Sequence, residues 1–380
     1  MVVSPRSDVR GPILIITGVE PLQLDVPLEE PIPPSVARPL THVLSVRLVR
    51  VTTDGDQVAC GEAWAEGLDS LTEAVELLAP LVIGADPLDR GALWERMVDR
   101  LTRQQPRLPG GAGALSALDQ ALWDLAGRAL GLPVCQLIGG RRGARLDAYA
   151  TGLYLEAPAV LAAKATEFLE CGFRAVKMKI GAGREQDLAA VAAVRKAVGT
   201  QVPLLVDANQ AYADRDAALE MGLELGRYEV FWYEEPLAPD DWGEYATLRA
   251  ALDTPIAGGE TLRSPAQFLQ AFQAGALDVA MPDVRLCGGI TGLLKVAELA
   301  RWFGVQISPH NWASPIGAIA SAHAAVTLTN CTMTEVEATP TPVSEGLIDP
   351  PLTFEDGFLT IPDGPGLGIK VSNDFVQHWQ

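Results

Sequence analysis

The chain has 380 residues, is 48% hydrophobic and carries a formal charge of -19 at pH 7. It is long enough to bury a large core and to hold more than one small domain. The acidic balance argues against nucleic-acid or anionic-membrane partners, which need basic surface.

In chain order, the opening Met1–Asp8 has no long apolar core beside a cleavage site, so no signal peptide is expected. Residues 12–19 read as a first strand, and the Pro- and Glu-rich piece Glu20–Pro39 is too punctuated for a helix. Val43–Thr53 alternates apolar and polar residues as a strand does. Asp54-Gly55 is a turn, and Val58–Ala65 is the candidate returning strand. Leu71–Leu81 and Leu93–Leu101 look helical, and Pro106–Ala112 is a Pro- and Gly-rich loop. Roughly the first 110 residues therefore read as a small α+β domain. In Ala114–Leu130, Leu115, Leu118, Leu122 and Leu125 recur at helical spacing until Gly131-Leu132-Pro133 stops the run.

From Leu146 the pattern alternates. Strands are expected at 147–152, 174–180, 203–208, 230–234, 255–259, 278–282, 305–309 and 332–336, with helices at 158–171, 185–198, 214–225, 241–252, 264–274, 290–303 and 315–328. Such a run favours a closed parallel barrel over an open sheet. The last strand has no helix after it. Beyond about 340 the chain is Pro-rich, with a short β-like piece at Gly357–Pro362. Five cysteines, Cys60, Cys135, Cys171, Cys287 and Cys331, form no CxxC pair and read as reduced thiols of a cytoplasmic protein. No apolar run is long enough to span a bilayer.

Charged residues recur at the C-terminal tips of the expected strands, the rim where βα barrels keep their chemistry. Lys177 and Lys179 are two apart and share a face, and two unpaired ammonium groups on one face of a core strand would be costly without a purpose. Asp207 and Asn209 share a face at the next tip. Glu234 and Glu235 point oppositely, and spacing alone does not choose between them. Glu260 follows two glycines that allow close backbone approach. A lone acid at such a place is usually a helix cap. Three acids on successive strands would repel each other without a cation, which points to a hard, oxygen-loving metal such as Mg²⁺. Asp283 and His310 end the next two strands, close enough for a hydrogen bond that would fix the imidazole tautomer. Glu335 and Glu337 share a face of the last strand, and periodicity does not pick one. Two further pieces are weak signals. Gly181-Ala182-Gly183 is a fragment of a phosphate loop that the following residues do not complete, and Cys287-Gly288-Gly289 reads as a tight βα turn.

Lys-x-Lys, Asp-x-Asn, Glu-Glu-Pro, Gly-Glu, Pro-Asp and His stand in an order and spacing that resemble the enolase superfamily, specifically the mandelate racemase/muconate lactonizing enzyme family and its mandelate racemase-like subgroup. The helix Ala114–Leu130 and the following Leu-Pro-Val-Cys-Gln-Leu-Ile-Gly-Gly resemble that family's segment before the barrel. The resemblance implies an α/β fold, a (β/α)7β modified TIM barrel over 126–340, with an N-terminal α+β capping domain over 1–125 and a tail, 341–380, returning to the cap. It implies Asp207, Glu234 and Glu260 as ligands of one Mg²⁺ per subunit, with Mn²⁺ as a substitute. It makes Lys179 the acid/base catalyst on one face of the substrate and His310, paired with Asp283, the catalyst on the other. Lys177 would hold the substrate carboxylate, Glu335 would donate to the developing enolate oxygen, and Asn209 and Trp312 would line the site. Substrate choice would lie in a lid drawn from 18–40 and in the loop Arg103–Gly111.

Such a set would abstract the proton alpha to a carboxylate. A metal, a cationic lysine and a donor spread the charge that develops. The metal and Lys177 are expected to depress the Lys179 pKa. With a hydroxyl on the neighbouring carbon the outcome is dehydration of a sugar acid to a 2-keto-3-deoxy acid. Without a leaving group it is racemisation or epimerisation of a 2-hydroxy acid. Relatives of the muconate-lactonizing or dipeptide-epimerase type carry a lysine where this chain has Asp283. A non-catalytic binding protein on the same fold is the reading from another class. The expected partner is a small carboxylate, with neither nucleic acid nor membrane, and the family implies a homo-oligomer.

Overall fold

The computed structural model describes residues 14–104, 107–143, 145–239, 241–312 and 314–380. The reading of residues 1–8, the start of the strand expected at 12–19, and Pro106 of the expected loop lie outside these.

The N-terminal part is an antiparallel meander of β1 (Ile16–Ile32), β2 (Thr41–Thr53) and β3 (Val58–Ala63), followed by α1 (Leu68–Val82), α2 (Arg90–Gln104) and α3 (Gly111–Leu130). The Pro- and Glu-rich stretch is not a loop over most of its length, since β1 runs through Pro21 and Pro27, which pair with Val49 and Val43. The reason is position. Among the described residues β1 pairs only with β2 and is an edge strand, where prolines cost no ladder hydrogen bond, while Leu22, Leu24 and Val26 alternate into the core. One part of the sheet (Val49, Val51) packs on Leu71, Leu78, Met97, Leu118 and Leu122 of the helices, and Leu22, Leu24, Val46 and Leu48 join the barrel core. Gly61 of β3 lies so close to α3 that a Cβ there would meet the Ala117 carbonyl oxygen at 1.9 Å. That contact lets the sheet settle on the helix.

After the short α4 (Val134–Ile138) come β4 (Leu146–Leu153), α5 (Pro158–Glu170), β5 (Val176–Lys179), α6 (Arg184–Val198), β6 (Leu204–Asp207), α7 (Arg215–Gly226) and β7 (Trp232–Glu234). The series continues through α8 (Trp242–Ala251), β8 (Ile256–Gly258), α9 (Pro265–Gln273), β9 (Val279–Ala280), α10 (Gly289–Trp302), β10 (Gln306–Ile307), α11 (Pro315–Ala325) and β11 (Thr334–Glu337). Each of β4 to β9 pairs in parallel with the next, β11 pairs with β4, and a parallel bridge between Ile307 and Cys331 closes the ring. This is the (β/α)7β barrel. β9 and β10 are shorter than expected because their pairing continues as single bonds beyond the regular ladder, such as Met281 N to the Gly258 oxygen at 2.9 Å and the Asp283–His310 bridge. Inside, Tyr149, Leu205, Trp232, Ala257, Val279 and Met281 form an apolar plug. The inward positions two residues further along β5, β6 and β7 are Lys177, Asp207 and Glu234, so the period of two sets a charged layer on an apolar one.

The tail contains α12 (Pro342–Gly346), β12 (Ile348–Asp349), β13 (Phe354–Glu355), β14 (Phe358–Leu359), β15 (Lys370–Val371) and α13 (Asn373–Trp379). β14 pairs antiparallel with β4, and Leu367 N donates to Asp124 of α3 at 2.8 Å. α12 and α13 lie against β1. Among the described residues no helix is long and apolar enough to cross a membrane.

Candidate active site

The ladder Lys179–Asp207–Glu234–Ala257 sets three strand tips side by side. Asp207, Glu234 and Glu260 each offer a carboxylate oxygen, and these lie within 4.8 Å of one another. Beneath them the fully buried Lys177 ammonium is 2.8 Å from Glu335 Oε1, 3.0 Å from Glu234 Oε1 and 3.8 Å from Asp207 Oδ2. Lys179 Nζ donates to Asp207 Oδ2. Asn209 turns back on Asp207, its N–H donating to Oδ1 at 2.7 Å, with a left-handed φ of 42°. Glu235 points away from the cluster and accepts from Gln210 Nε2 at 2.7 Å.

On the other side, His310 Nδ1 is 2.9 Å from Asp283 Oδ2, so Nδ1–H donates there and Nε2 faces Glu260, 3.3 Å away, and Glu335, 3.9 Å away. Arg285 clamps Asp283 through Nε at 3.0 Å and Nη2 at 2.6 Å, and its Nη1 is 3.6 Å from Glu62 of β3. Glu335 also accepts from Asn311 N at 3.0 Å, while Glu337 accepts from the Tyr154 hydroxyl and from Thr339 N. Trp312 Nε1 donates to Tyr154 at 2.9 Å. Lys179, Asn209, Glu260, Asp283, His310 and Trp312 line one cavity of about 340 Å³.

The electrostatics follow from burial and charge. Burial and the neighbouring Asp207 push Glu234 well above the usual carboxylate range. Burial would also raise Glu335, but Lys177 and His310 bring it down to about 2. Burial would raise Asp283, yet Arg285 and His310 hold it below its ordinary value. Burial disfavours the imidazolium of His310, and Glu260, Glu335 and Asp283 outweigh that, raising it to about 9. Burial would lower Lys179 as well, but Asp207 more than offsets both burial and Lys177, so its pKa is raised in the metal-free chain. The expected lowering by Lys177 is present, and the expected lowering by the metal belongs to the loaded site. With no cation present, the acids that would bind the metal hold the lysine proton instead.

The acid cluster fits a hard divalent cation. Its oxygens converge, among the described residues Glu260 Oε2 and Asn209 Oδ1 are buried without a hydrogen bond, and burial together with Asp207 raises the Glu234 pKa, as crowded acids do without a cation.

A family profile described as "Enolase C-terminal domain-like" matches residues 160–375. A second, "Mandelate racemase / muconate lactonizing enzyme, N-terminal domain", matches residues 22–139. The chain belongs to the mandelate racemase/muconate lactonizing enzyme family of the enolase superfamily. It is 33% identical over 345 residues to the D-galactarolactone cycloisomerase of Agrobacterium fabrum, covering 88% of this chain and 90% of that one. It is 30% identical over 345 residues to the arabinonate dehydratase of Saccharolobus solfataricus, covering 89% and 91%. A racemase from Streptomyces coelicolor A3(2) solved with bound magnesium superposes with a TM-score of 0.87 at 28% identity, covering 96% of this chain and 99% of that one. Other curated relatives are named dehydratases, epimerases and racemases. This member of the family is thus an enzyme of the superfamily's proton-abstraction type.

Within the family barrel, every site residue read from the sequence comes to one rim: Lys177, Lys179, Asp207, Asn209, Glu234, Glu260, Asp283, His310, Trp312 and Glu335. Three neighbours escaped the reading. Glu62 is fully buried, accepts from Ser314 N, Ser314 Oγ and Gly317 N, and so caps α11 from the N-terminal sheet. Its signal was an acid inside an otherwise apolar strand. Arg285 was visible as a basic residue two after Asp283. Tyr154 carried no signal beyond following a strand. The weak phosphate-loop fragment is explained by Asp187, which accepts from the N–H groups of Gly181, Ala182 and Gly183 and takes up the donors a phosphate would need. Cys287 is buried in the turn before α10.

Proposed function

We propose that the protein catalyses Mg²⁺-dependent abstraction of the proton alpha to a carboxylate, in the dehydration of a sugar acid to a 2-keto-3-deoxy acid. The observation that carries this is the pair Lys179 and His310, both lining the cavity that also contains Glu260 of the acid cluster. Asp207, Glu234 and Glu260 hold one Mg²⁺ per subunit, with Mn²⁺ able to stand in. When bound, the ion offsets the negative charge that builds on the substrate carboxylate as the proton leaves.

The chain's own groups do the rest. One of Lys179 and His310 takes the α-proton, and its partner gives a proton to the hydroxyl of the next carbon, which leaves as water. The enol so formed tautomerises to the keto acid. Asp283 fixes the His310 tautomer, with Nδ1–H held and Nε2 turned toward the other acids. Lys177 places a fixed positive charge under the carboxylate end of the site, and Glu335, 2.8 Å from it, donates to the enolate oxygen once it gains a proton against the pull of Lys177 and His310. Asn209 and Trp312 complete the walls. The same reading divides the chain into a cap at 1–125, the barrel at 126–340 and a tail at 341–380 belonging with the cap. It takes the protein as a cytoplasmic homo-oligomer, which its five free thiols suit.

A second reading, racemisation or epimerisation of a 2-hydroxy acid, is favoured by the same two-sided arrangement, because the second group can return a proton to the opposite face. Proton NMR in D₂O with Mg²⁺ and a panel of sugar acids and 2-hydroxy acids tests both. Growth of a 2-keto-3-deoxy product supports dehydration. Exchange of the α-proton with inversion and no water loss overturns it in favour of the second reading.

A further inference from the structure

Arg38 sits between β1 and β2, on the part of the lid that covers the cavity, and lines that cavity with Ser35 and Ala37. Its guanidinium is half-buried. It lies 4.6 Å from the Trp312 ring centre and 5.1 Å from that of Tyr154. Nη1 donates to Thr41 Oγ1 at 2.7 Å, and Nη2 donates to the Pro33 oxygen at 3.3 Å. These contacts fix the plane of the fork but leave its charge unmatched. Glu337, whose charge reaches it, is already engaged by Tyr154 and Thr339, and among the described residues no carboxylate lies within 4.0 Å of Arg38.

The other two arginines of the cavity differ. Arg285 is committed to Asp283 and to Glu62, and Arg263 lies 3.6 Å from Glu66. A half-buried guanidinium held over aromatic rings and facing a cavity, with no carboxylate within 4.0 Å among the described residues, is suited to an anion from the ligand. Its planar fork matches a carboxylate in particular. The cavity already has its own place for the reacting carboxylate, beside Lys179 and Glu260, so Arg38 would take a second one.

We propose that the substrate is a dicarboxylate, with one carboxylate at the Asp207–Glu234–Glu260 cluster and a distal carboxylate paired with Arg38, whose orientation Trp312 and Tyr154 fix. This rests on reading the site as one for sugar acids, and it narrows that class to sugar diacids. A monoacid with a terminal hydroxymethyl group would leave the guanidinium desolvated and unpaired, which is the situation in which polar sites discriminate strongly.

Three matched pairs test it: galactarate against galactonate, glucarate against gluconate, and mannarate against mannonate, with 6-phosphogluconate as a distal phosphate. Each is measured with the Mg²⁺-loaded protein, by keto-acid formation and by thermal shift. The wild-type protein is expected to favour one diacid over its monoacid at least tenfold, in kcat/KM or in half-saturation. Arg38→Gln removes most of that preference, and Arg38→Lys retains part of it. Absence of a diacid preference in all three pairs overturns the proposal. So does a variant that weakens diacid and monoacid equally, since Arg38 would then be only a lid latch. Stronger response to 6-phosphogluconate than to any diacid overturns the choice of carboxylate. A diacid preference in thermal shift without keto-acid formation keeps the Arg38 assignment and removes the dehydration reading.

Discussion

Lys177 is the residue on which the site's charge arrangement turns. Its side chain is wholly buried among Glu234, Glu335 and Asp207, and the Tyr149 ring lies 5.5 Å from its ammonium group. Removing one member of such a buried set strands the others. Lys177→Met is therefore expected to destabilise the metal-free protein by about 3–5 kcal/mol, measured by urea unfolding in EDTA. A loss near zero would show that the two glutamates take up protons at no cost. Lys179 and His310 line the cavity. Lys179→Ala and His310→Asn are each expected to lower turnover by about 10²–10⁴-fold or more, with the fold and the Mg²⁺ titration kept. Near-normal turnover in both would remove the two-sided assignment. At this scale the period of a strand was enough to align Lys177 with Lys179 and Asp207 with Asn209. It was not enough to choose between Glu335 and Glu337, which share a face but part company over Lys177 and Tyr154.

At the scale of elements, helix ends are tied to distant segments by buried polar groups. Asp119 of α3 accepts from Thr291 N at 2.8 Å and Thr291 Oγ1 at 2.6 Å in the first turn of α10, and Glu62 does the same for α11. His323 inside α11 accepts from Cys135 N through Nδ1 at 3.3 Å and donates through Nε2 to the Leu367 oxygen at 3.1 Å, which is a neutral tautomer. Burial lowers its pKa from 6.5 to about 4. Between those values the unfolded chain binds the proton and the folded chain does not. The contribution of His323 to stability is therefore complete above about pH 6.5 and is lost as pH falls toward about 4. Thermal melts across that window should show His323→Asn with a shallower acid slope than the wild type. An unchanged slope would mean that other groups carry the acid sensitivity. None of these ties was legible in the sequence, because the partners of Glu62 and Asp119 lie 252 and 172 residues away.

For the whole molecule, the acids at the tips of β6, β7 and β8 meet only when those strands pair in parallel within the barrel. The metal should therefore bind the folded chain and not the unfolded one. Mg²⁺ at a hundred times its dissociation constant should add about 2.7 kcal/mol of stability, read as a rise in melting temperature that EDTA reverses. Glu260→Gln should reduce that rise. A melting temperature indifferent to Mg²⁺ would remove the metal assignment. The lid is a whole-molecule feature in the same sense. Arg38 reaches the barrel rim because β1 and β2 both pack on the barrel core, and its ring partners come from β4's far end and from the loop after β10.

The sequence by itself determined the barrel and its charged rim. Both depend on local periodicity, with apolar runs ending in acids or lysines at intervals of one βα unit. The tertiary structure alone decided that β1 extends through its prolines, since only an edge position makes that free of cost. It alone decided that Glu62 and Arg285 stand behind Asp283 and His310, and that among the described residues no carboxylate lies within 4.0 Å of Arg38. Those facts depend on groups brought together from distant parts of the chain, and a pattern of neighbours along the backbone carries no record of them.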